Sequence, residues 1–535
     1  MGRRPGPALI DGGATPPRAG FPINFSHGRT NREQQSDASR CGGMTVIETV
    51  EIDEPLGLDA YAEVAHLRQA VESLRERAAE LSPRLEGRKV WMVNSTAQGG
   101  GVAEMLPKLV LLLNQLGVST EWLVMGTNQT EFFGLTKRLH NLIHGQGDPG
   151  LDDDDHALYA AVSSENASEL KRRVGSNDIL VIHDPQPLGM GAMVKQELEV
   201  PFFFRCHIGL DGECAETRAA WSFLRPYAER CDRGIFSAQE YVPDFLAHRC
   251  DLIRPAIDPL SFKNRELTPH RISGVLCNSG LALSRHPVVP RAFVESATRL
   301  AGDGTFAPID EATDIGMLYR PIVLQISRWD ALKGFKPLLE GFVRLKQGLA
   351  SPRPGLTERH ARRLKQARLI LAGPDPAAVA DDPEAQDVLE ELTAIYVGLS
   401  PQLQEDIALI SLPMTSRKDN ALMVNALQRC ASVVVQNSLR EGFGLTVTEA
   451  LWKRCAVLGS RACGIRQQIQ DGVEGRLLND CEDSAEIAET LDGMLDDLPG
   501  RARQGRAGQL RVHDDFLVLT QARDWIETLA KHAGR

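Results

Sequence analysis

Short apolar runs recur along this chain, each closed by a polar or glycine-rich turn and followed by a stretch with helical spacing. "KVWMVNS" (89–95), "TEWLVM" (120–125), "DILVIHD" (178–184), "FFFRCHI" (202–208) and "RGIFSA" (233–238) form a first series. A second series resumes with "PIVLQIS" (321–327), "ARLILAG" (367–373), "IALISL" (407–412), "ASVVVQN" (431–437) and "CAVLGS" (455–460). Runs this short and this apolar suit strands buried on both faces, and helices between them supply the crossovers that parallel strands need. The pattern predicts an α/β protein built from two Rossmann-like units in tandem, facing across a cleft. Ligands of open α/β sheets bind outside the C-terminal ends of the strands, so the site is expected between the units.

The 535 residues exceed one ordinary core and suit two or three domains. We divide the chain into a disordered extension (1–43), an N-terminal Rossmann-like domain (44–256), a linker with an insertion (257–319), a C-terminal Rossmann-like domain (320–510) and a final helix (511–535) that packs back toward the N-terminal domain. The first 43 residues are rich in Gly, Pro, Arg and Ser and show no period. "MTVIETVEIDEP" reads as an ordinary protein start, which makes Met44 the expected native start. Apolar spacing at Leu67, Ala70, Val71, Leu74 and Leu81 predicts an amphipathic helix across 58–81.

A net charge of −11 argues against non-specific nucleic-acid binding, which depends on phosphate neutralisation. Ten cysteines include no C-x-x-C pair, so a zinc or dithiol motif is not signalled, and thinly spread reduced thiols fit a cytoplasmic protein. No apolar run approaches the roughly 20 residues of a membrane span. The run "LDDDDH" (151–156) has no strand before it and reads as a solvated polar loop rather than a metal site.

Chemistry is expected in the loops after strands. In "NSTAQGGGVAEM" three glycines precede a helix, letting backbone N–H groups such as those of Gly100 and Gly101 approach a ligand. A plain tight turn is the alternative. In "QISRWDALKG" Arg328 and Lys333 follow a strand and could hold a diphosphate, the one as a fork and the other as a point charge; a solvated pair is the bland reading. In "SLREGFGLTVTEALWK" Glu441 precedes the turn Gly442-Phe443-Gly444, Leu445 opens a helix, and Glu449 lies within it. Carboxylates beside an anion site make sense when they accept hydrogen bonds from neutral hydroxyls, and a nucleotide sugar offers hydroxyls at both ends with a diphosphate between. Otherwise Glu441 is a charge on a helix dipole and Glu449 a surface residue. His207 and Asp184 end strands of the first unit, which favours cleft roles at the reaction centre and near an acceptor sugar.

These segments, together with "FFGLTKRLHN", "HDPQPLGM", "RCHIGLD" and "GIRQQIQDGVEGRLL", resemble the retaining glycosyltransferases of the GT-B fold. Within them the E-x7-E pair is Glu441 and Glu449, and the seven ordered segments between 90 and 478 are most similar to the trehalose synthases that join a nucleotide-activated glucose to free glucose. The resemblance implies that Glu441 holds donor-sugar hydroxyls and Glu449 the ribose, that Arg328 and Lys333 neutralise the departing diphosphate, and that Gly100, Gly101 and the 442–445 turn meet the donor. It places His207 at the reaction centre, and Asp184, Gln186, Lys137, His140 and Asn141 on the acceptor side. It implies no cofactor and no metal. UDP, ADP and GDP all stay open as the nucleotide, as does a homodimer. Rival readings are a retaining trehalose phosphorylase, a synthase of another disaccharide or glucoside, and a non-catalytic sugar-nucleotide sensor.

Overall fold

The computed structural model describes residues 47–97, 100–283, 293–311, 313–350, 355–376 and 384–532. The 1–43 extension, Met44 and the first glycine of the triplet lie outside them.

Fifteen strands form two sheets among the described residues. The first holds β1 (Ile47–Thr49), β2 (Val90–Asn94), β3 (Thr120–Met125), β4 (Ile179–His183), β5 (Phe202–Arg205), β6 (Arg233–Phe236) and β7 (Cys250–Leu252), in the order β1-β3-β2-β4-β5-β6-β7. The second holds β8 (Thr298–Leu300), β9 (Phe306–Pro308), β10 (Ile322–Ile326), β11 (Arg368–Pro374), β12 (Ile407–Leu412), β13 (Val433–Gln436), β14 (Val457–Gly459) and β15 (Gly475–Leu477), in the order β15-β14-β13-β10-β11-β12-β8-β9. Every residue of β2, β4, β10 and β12 is buried, which is why these runs lack alternation: helices cover both faces of each sheet. The result is the expected pair of Rossmann-like α/β units.

Among the parallel strands of each sheet the order reverses once, and the reversal decides where a ligand can sit. In the first sheet it falls between β2 and β4; in the second, between β10 and β13. The loops leaving a reversal point splay apart and open a crevice. In the second sheet those loops carry Arg328 and Lys333 on one side and Glu441 on the other.

The chain crosses between the halves twice, side by side. The Ile257 N–H donates to the Phe516 carbonyl at 2.9 Å and the Val518 N–H to the Ile257 carbonyl at 3.1 Å. Beyond this point the helix Val518–His532 packs on the helices Arg68–Leu81 and Gly100–Gln115 of the first half.

The 257–319 stretch, expected as a linker with an insertion, contains the helix Pro269–Asn278 and the antiparallel pair β8–β9 on the edge of the second sheet. Arg299 secures that edge, donating to the carbonyls of Gln404 (2.8 Å) and Ile407 (2.7 Å). Three-residue strands show no period, so only this tertiary pairing reveals them. "LDDDDH" is the start of the helix Asp153–Leu170, not a loop. Asp152 and Asp155 form a reciprocal capping box, and three aspartates occupy the positive first turn.

Candidate active site

The loop after β10 is built by buried amides. Gln325, fully buried at the end of β10, donates to the Lys333 carbonyl at 2.8 Å and accepts the Asn437 N–H at 3.1 Å. Asn437 donates to the Gly334 carbonyl at 3.0 Å, and Leu439 N–H to the Leu332 carbonyl at 2.8 Å. Gly334 has φ +61°, and a Cβ there would lie 2.1 Å from the Asn437 carbonyl oxygen, so only glycine lets the two loops touch. This stitching brings Lys333 Nζ within 2.9 Å of Glu441 Oε2. The same carboxylate oxygen also accepts from Ser438 Oγ at 3.0 Å and Gln436 Nε2 at 3.3 Å. All three contacts fall on Oε2; Oε1 receives none of them.

A cleft of about 850 Å³ lies between the halves. From the second half Arg328, Lys333, Glu441, Gly442 and Phe443 line it; from the first, His207 and the helix face bearing Lys137, His140 and Asn141. Arg328 is 64% exposed there, with Asp330 at 3.8 Å. Three cross-cleft ties hold the halves together. Tyr241 donates its hydroxyl to the Gly442 carbonyl at 2.7 Å, Arg440 donates to the Gly145 carbonyl at 3.1 Å, and Arg466 pairs with Asp211 at 2.6 Å and with Glu240 at 3.1 Å.

Other candidates stand elsewhere. Asp184 and Gln186 do not line the cleft. Asp184, at φ +64°, accepts the His207 backbone N–H at 2.8 Å, and burial pushes its carboxyl up to about 6. Gly101 opens the helix Gly100–Gln115; a Cβ there would meet nothing within 4 Å. Gly444, in the left-handed region at φ +82°, ends the turn, and Leu445 begins the helix Leu445–Trp452. Glu449 is 6% exposed and off the cleft lining. Lys263 Nζ is 3.6 Å from its Oε1, held protonated by Glu449 and by Glu104 on the glycine-led helix. The helix bearing Glu449 and the helix Gly100–Gln115 are thus linked through a lysine in the 257–319 stretch.

Sequence reasoning missed several lining residues. His144 follows Lys137, His140 and Asn141 at i+7, i+4 and i+3, the spacing of one helix face, and that periodicity would have found it. Tyr241, Arg440 and Arg466 carry no local signal, because their partners are carbonyls or acids from the other half.

Burial, with His144, Arg328 and Lys137 nearby, depresses His140 to about 4. An unfolded histidine takes its proton near 6.5, so between about 6.5 and 4 the unfolded chain binds the extra proton and folding weakens as pH falls. We expect a cost on the order of 3 kcal/mol from this group at the acid end of that window. Denaturant melts at pH 6.5 and 4.5 should show a shallower loss in His140→Gln than in the wild type; identical slopes would place the acid sensitivity elsewhere.

Comparison with known proteins bears on the family and the fold. A family model described as "Trehalose synthase, N-terminal domain" matches residues 92–243, and one described as "Glycosyl transferases group 1" matches 318–511. The "Trehalose synthase" of Pyrococcus horikoshii is 32% identical over 468 residues, 87% of this chain and 94% of its own. The "Trehalose phosphorylase" of Pleurotus sajor-caju is 26% identical over 82% of this chain, but the match covers only 57% of that protein. Among solved structures, a UDP-forming alpha,alpha-trehalose-phosphate synthase from Burkholderia xenovorans in complex with glucose-6-phosphate superposes with a TM-score of 0.57 at 14% identity, over 83% of this chain and all of that one; at that identity the likeness speaks for the fold alone.

Proposed function

We infer the reaction from one premise: this chain belongs to the trehalose synthase family of glycosyltransferases. It moves a glucosyl unit from a nucleotide-diphosphate glucose to glucose, forming trehalose with retention at the anomeric carbon. One observation carries this reading: Lys333 and Arg328 stand beside Glu441 at the reversal point of the second sheet, facing a helix of the first.

Cleaving the bond from anomeric carbon to phosphate puts negative charge on the leaving group. Arg328 and Lys333 are in place before that charge appears, so little reorganisation is needed. Glu441 holds donor hydroxyls; its pairing with Lys333 keeps both groups oriented while the cleft is empty of donor. His207 sits at the reaction centre, and Lys137, His140 and Asn141 receive the acceptor. Asp184 and Gln186, off the lining, are not carried forward as acceptor ligands. Retention is served by acceptor attack from the leaving-group face, with a phosphate oxygen helping to take the acceptor proton. Donor backbone contacts are assigned to Gly100, Gly101 and the 442–445 turn, of which Gly442 and Phe443 line the cleft and Gly101, Gly444 and Leu445 stand off it. Among the described residues no helix is long and apolar enough to cross a membrane.

Glu449 is assigned to the ribose. Glu449→Ala should weaken donor binding by roughly 1.5–3 kcal/mol, the worth of lost charge-assisted bonds, with a smaller effect on turnover. Calorimetric titration with donor alone measures this; unchanged affinity would return Glu449 to a purely structural pairing with Lys263.

The reaction itself is tested by supplying UDP-, ADP- and GDP-glucose with glucose and identifying the product. Trehalose from one nucleotide donor supports the reading. Phosphorolysis of trehalose to glucose 1-phosphate without nucleotide would favour a phosphorylase. Tight donor binding with no turnover across a broad acceptor panel would favour a sensor.

A further inference from the structure

Behind His207 lies a buried polar cluster that the reaction above does not use. His183, the last residue of β4, is fully buried, and its Nδ1 is 2.9 Å from His207 Nε2, the two rings stacked at 14°. One of these nitrogens must donate and the other accept, and the choice decides which way His207 meets a ligand.

The surroundings of the other nitrogen, His183 Nε2, settle the choice. It is buried and takes no hydrogen bond from a described residue. Arg205 is the register partner of His183 across β4 and β5, so both side chains rise from the same face of the sheet. Arg205 is 1% exposed; its Nη2 donates to Ser237 Oγ at 3.2 Å, whereas Nε and Nη1 have no acceptor among the described residues. Trp525, from the final helix, lies with its ring 6.1 Å from that of His183, and its buried Nε1 also has no acceptor among the described residues. These two unpartnered neighbours are donors, and one is cationic. A proton on His183 Nε2 would add another orphaned donor beside a guanidinium; a lone pair there is favoured by the same field. Arg205 and burial likewise disfavour protonation of either ring.

We propose that His183 is a positioning residue: its Nδ1–H donates to His207 Nε2, which leaves the proton of His207 on Nδ1 and presents that N–H to the cleft as a hydrogen-bond donor. His207 lines the cleft, and its Nδ1 bonds to no described residue. The group it meets is therefore an acceptor oxygen. Resting on the glucosyl-transfer reading, that oxygen is a hydroxyl oxygen of the transferred sugar, and Arg205 acts at two removes by holding His183 in one tautomer.

Neutron diffraction from deuterated wild-type crystals reads the proton directly and needs no turnover. Deuterium on Nδ1 of both His183 and His207 is expected; deuterium on Nε2 of His207 would overturn the proposal. The kinetic arm assays wild type, His183→Leu and His183→Asn with a panel of monodeoxy glucosyl donors. In the wild type one deoxy position should cost roughly tenfold, the worth of one hydrogen bond. His183→Leu should lose that same factor with the full donor and show no further loss with that analogue. His183→Asn, which restores an N–H near the Nδ1 position, should recover most of it. Equal losses across the panel, with asparagine no better than leucine, would reduce His183 to packing. Failure of the wild type to transfer glucose would instead remove the glucosyl-transfer premise, and the neutron map would still decide the tautomer.

Discussion

Replacing Arg328 with alanine lowers turnover about 10²–10³-fold, while affinity for the donor changes far less. The asymmetry follows from when the charge appears. A bound nucleotide diphosphate already carries charge spread over two phosphates, which in the proposed reading Lys333 and the helix N-terminus after Gly444 share with Arg328. Bond cleavage concentrates new charge on the leaving oxygen, and only interactions stronger then than in the ground state raise the rate. Arg328, exposed toward the cleft beside Asp330, is placed to meet that oxygen. Lys333 is a less clean probe, because alanine there also strips a partner from Glu441 at 2.9 Å. Single-turnover rates give the chemical step, and titration with donor in the absence of glucose gives affinity. Equal losses in both would count against a role in the transition state.

How much of this was legible beforehand depended on whether a signal was local. Each of the longer buried runs lies in a strand, because strands covered on both faces leave a continuous apolar record. The runs do not give the strand order, so the reversal points were not legible; the rule that ligands bind at strand C-terminal ends was enough to expect Arg328, Lys333 and Glu441 at a common crevice. Signals that depend on distant partners were absent. β1, β7, β8, β9 and β15 are three residues each and exist through pairing at sheet edges. Lys263 sits in a stretch with no periodicity, yet it neutralises Glu449. Asp184 looked like an acceptor ligand because it ends a strand; its left-handed backbone turns its carboxylate onto the His207 N–H instead. A position at a strand end places a residue near the crevice, but the backbone conformation there decides which way the side chain faces.

Gly464→Ala should disable the enzyme without any change to a charged residue. Gly464 lies in the short helix Cys463–Arg466, and its N–H donates to the Glu441 carbonyl at 3.1 Å. A Cβ there would stand 2.3 Å from Phe443 Cα and 2.5 Å from Phe443 N. Neither is the movable end of a side chain, so the helix and the 441–444 turn must separate. The turn cannot yield freely: Gln468, fully buried, donates to the Phe443 carbonyl at 2.6 Å and accepts from Thr448 Oγ1 at 2.6 Å. The overpacking should cost roughly 1–3 kcal/mol of stability. It should cost more in function, since a shift on the order of 1 Å in Glu441 relative to Lys333 and the donor can lower the rate about 10²-fold. Gly493→Ala is the control: it lies inside the helix Ser484–Asp496, where a Cβ meets nothing within 4 Å, and helix propensity makes it neutral or slightly stabilising. Thermal melts and turnover measured together decide the matter. A folded Gly464→Ala protein with wild-type kcat would mean that the turn bearing Glu441 does not depend on this contact for its position, and that Lys333, Ser438 and Gln436 suffice to hold the carboxylate proposed to meet the donor.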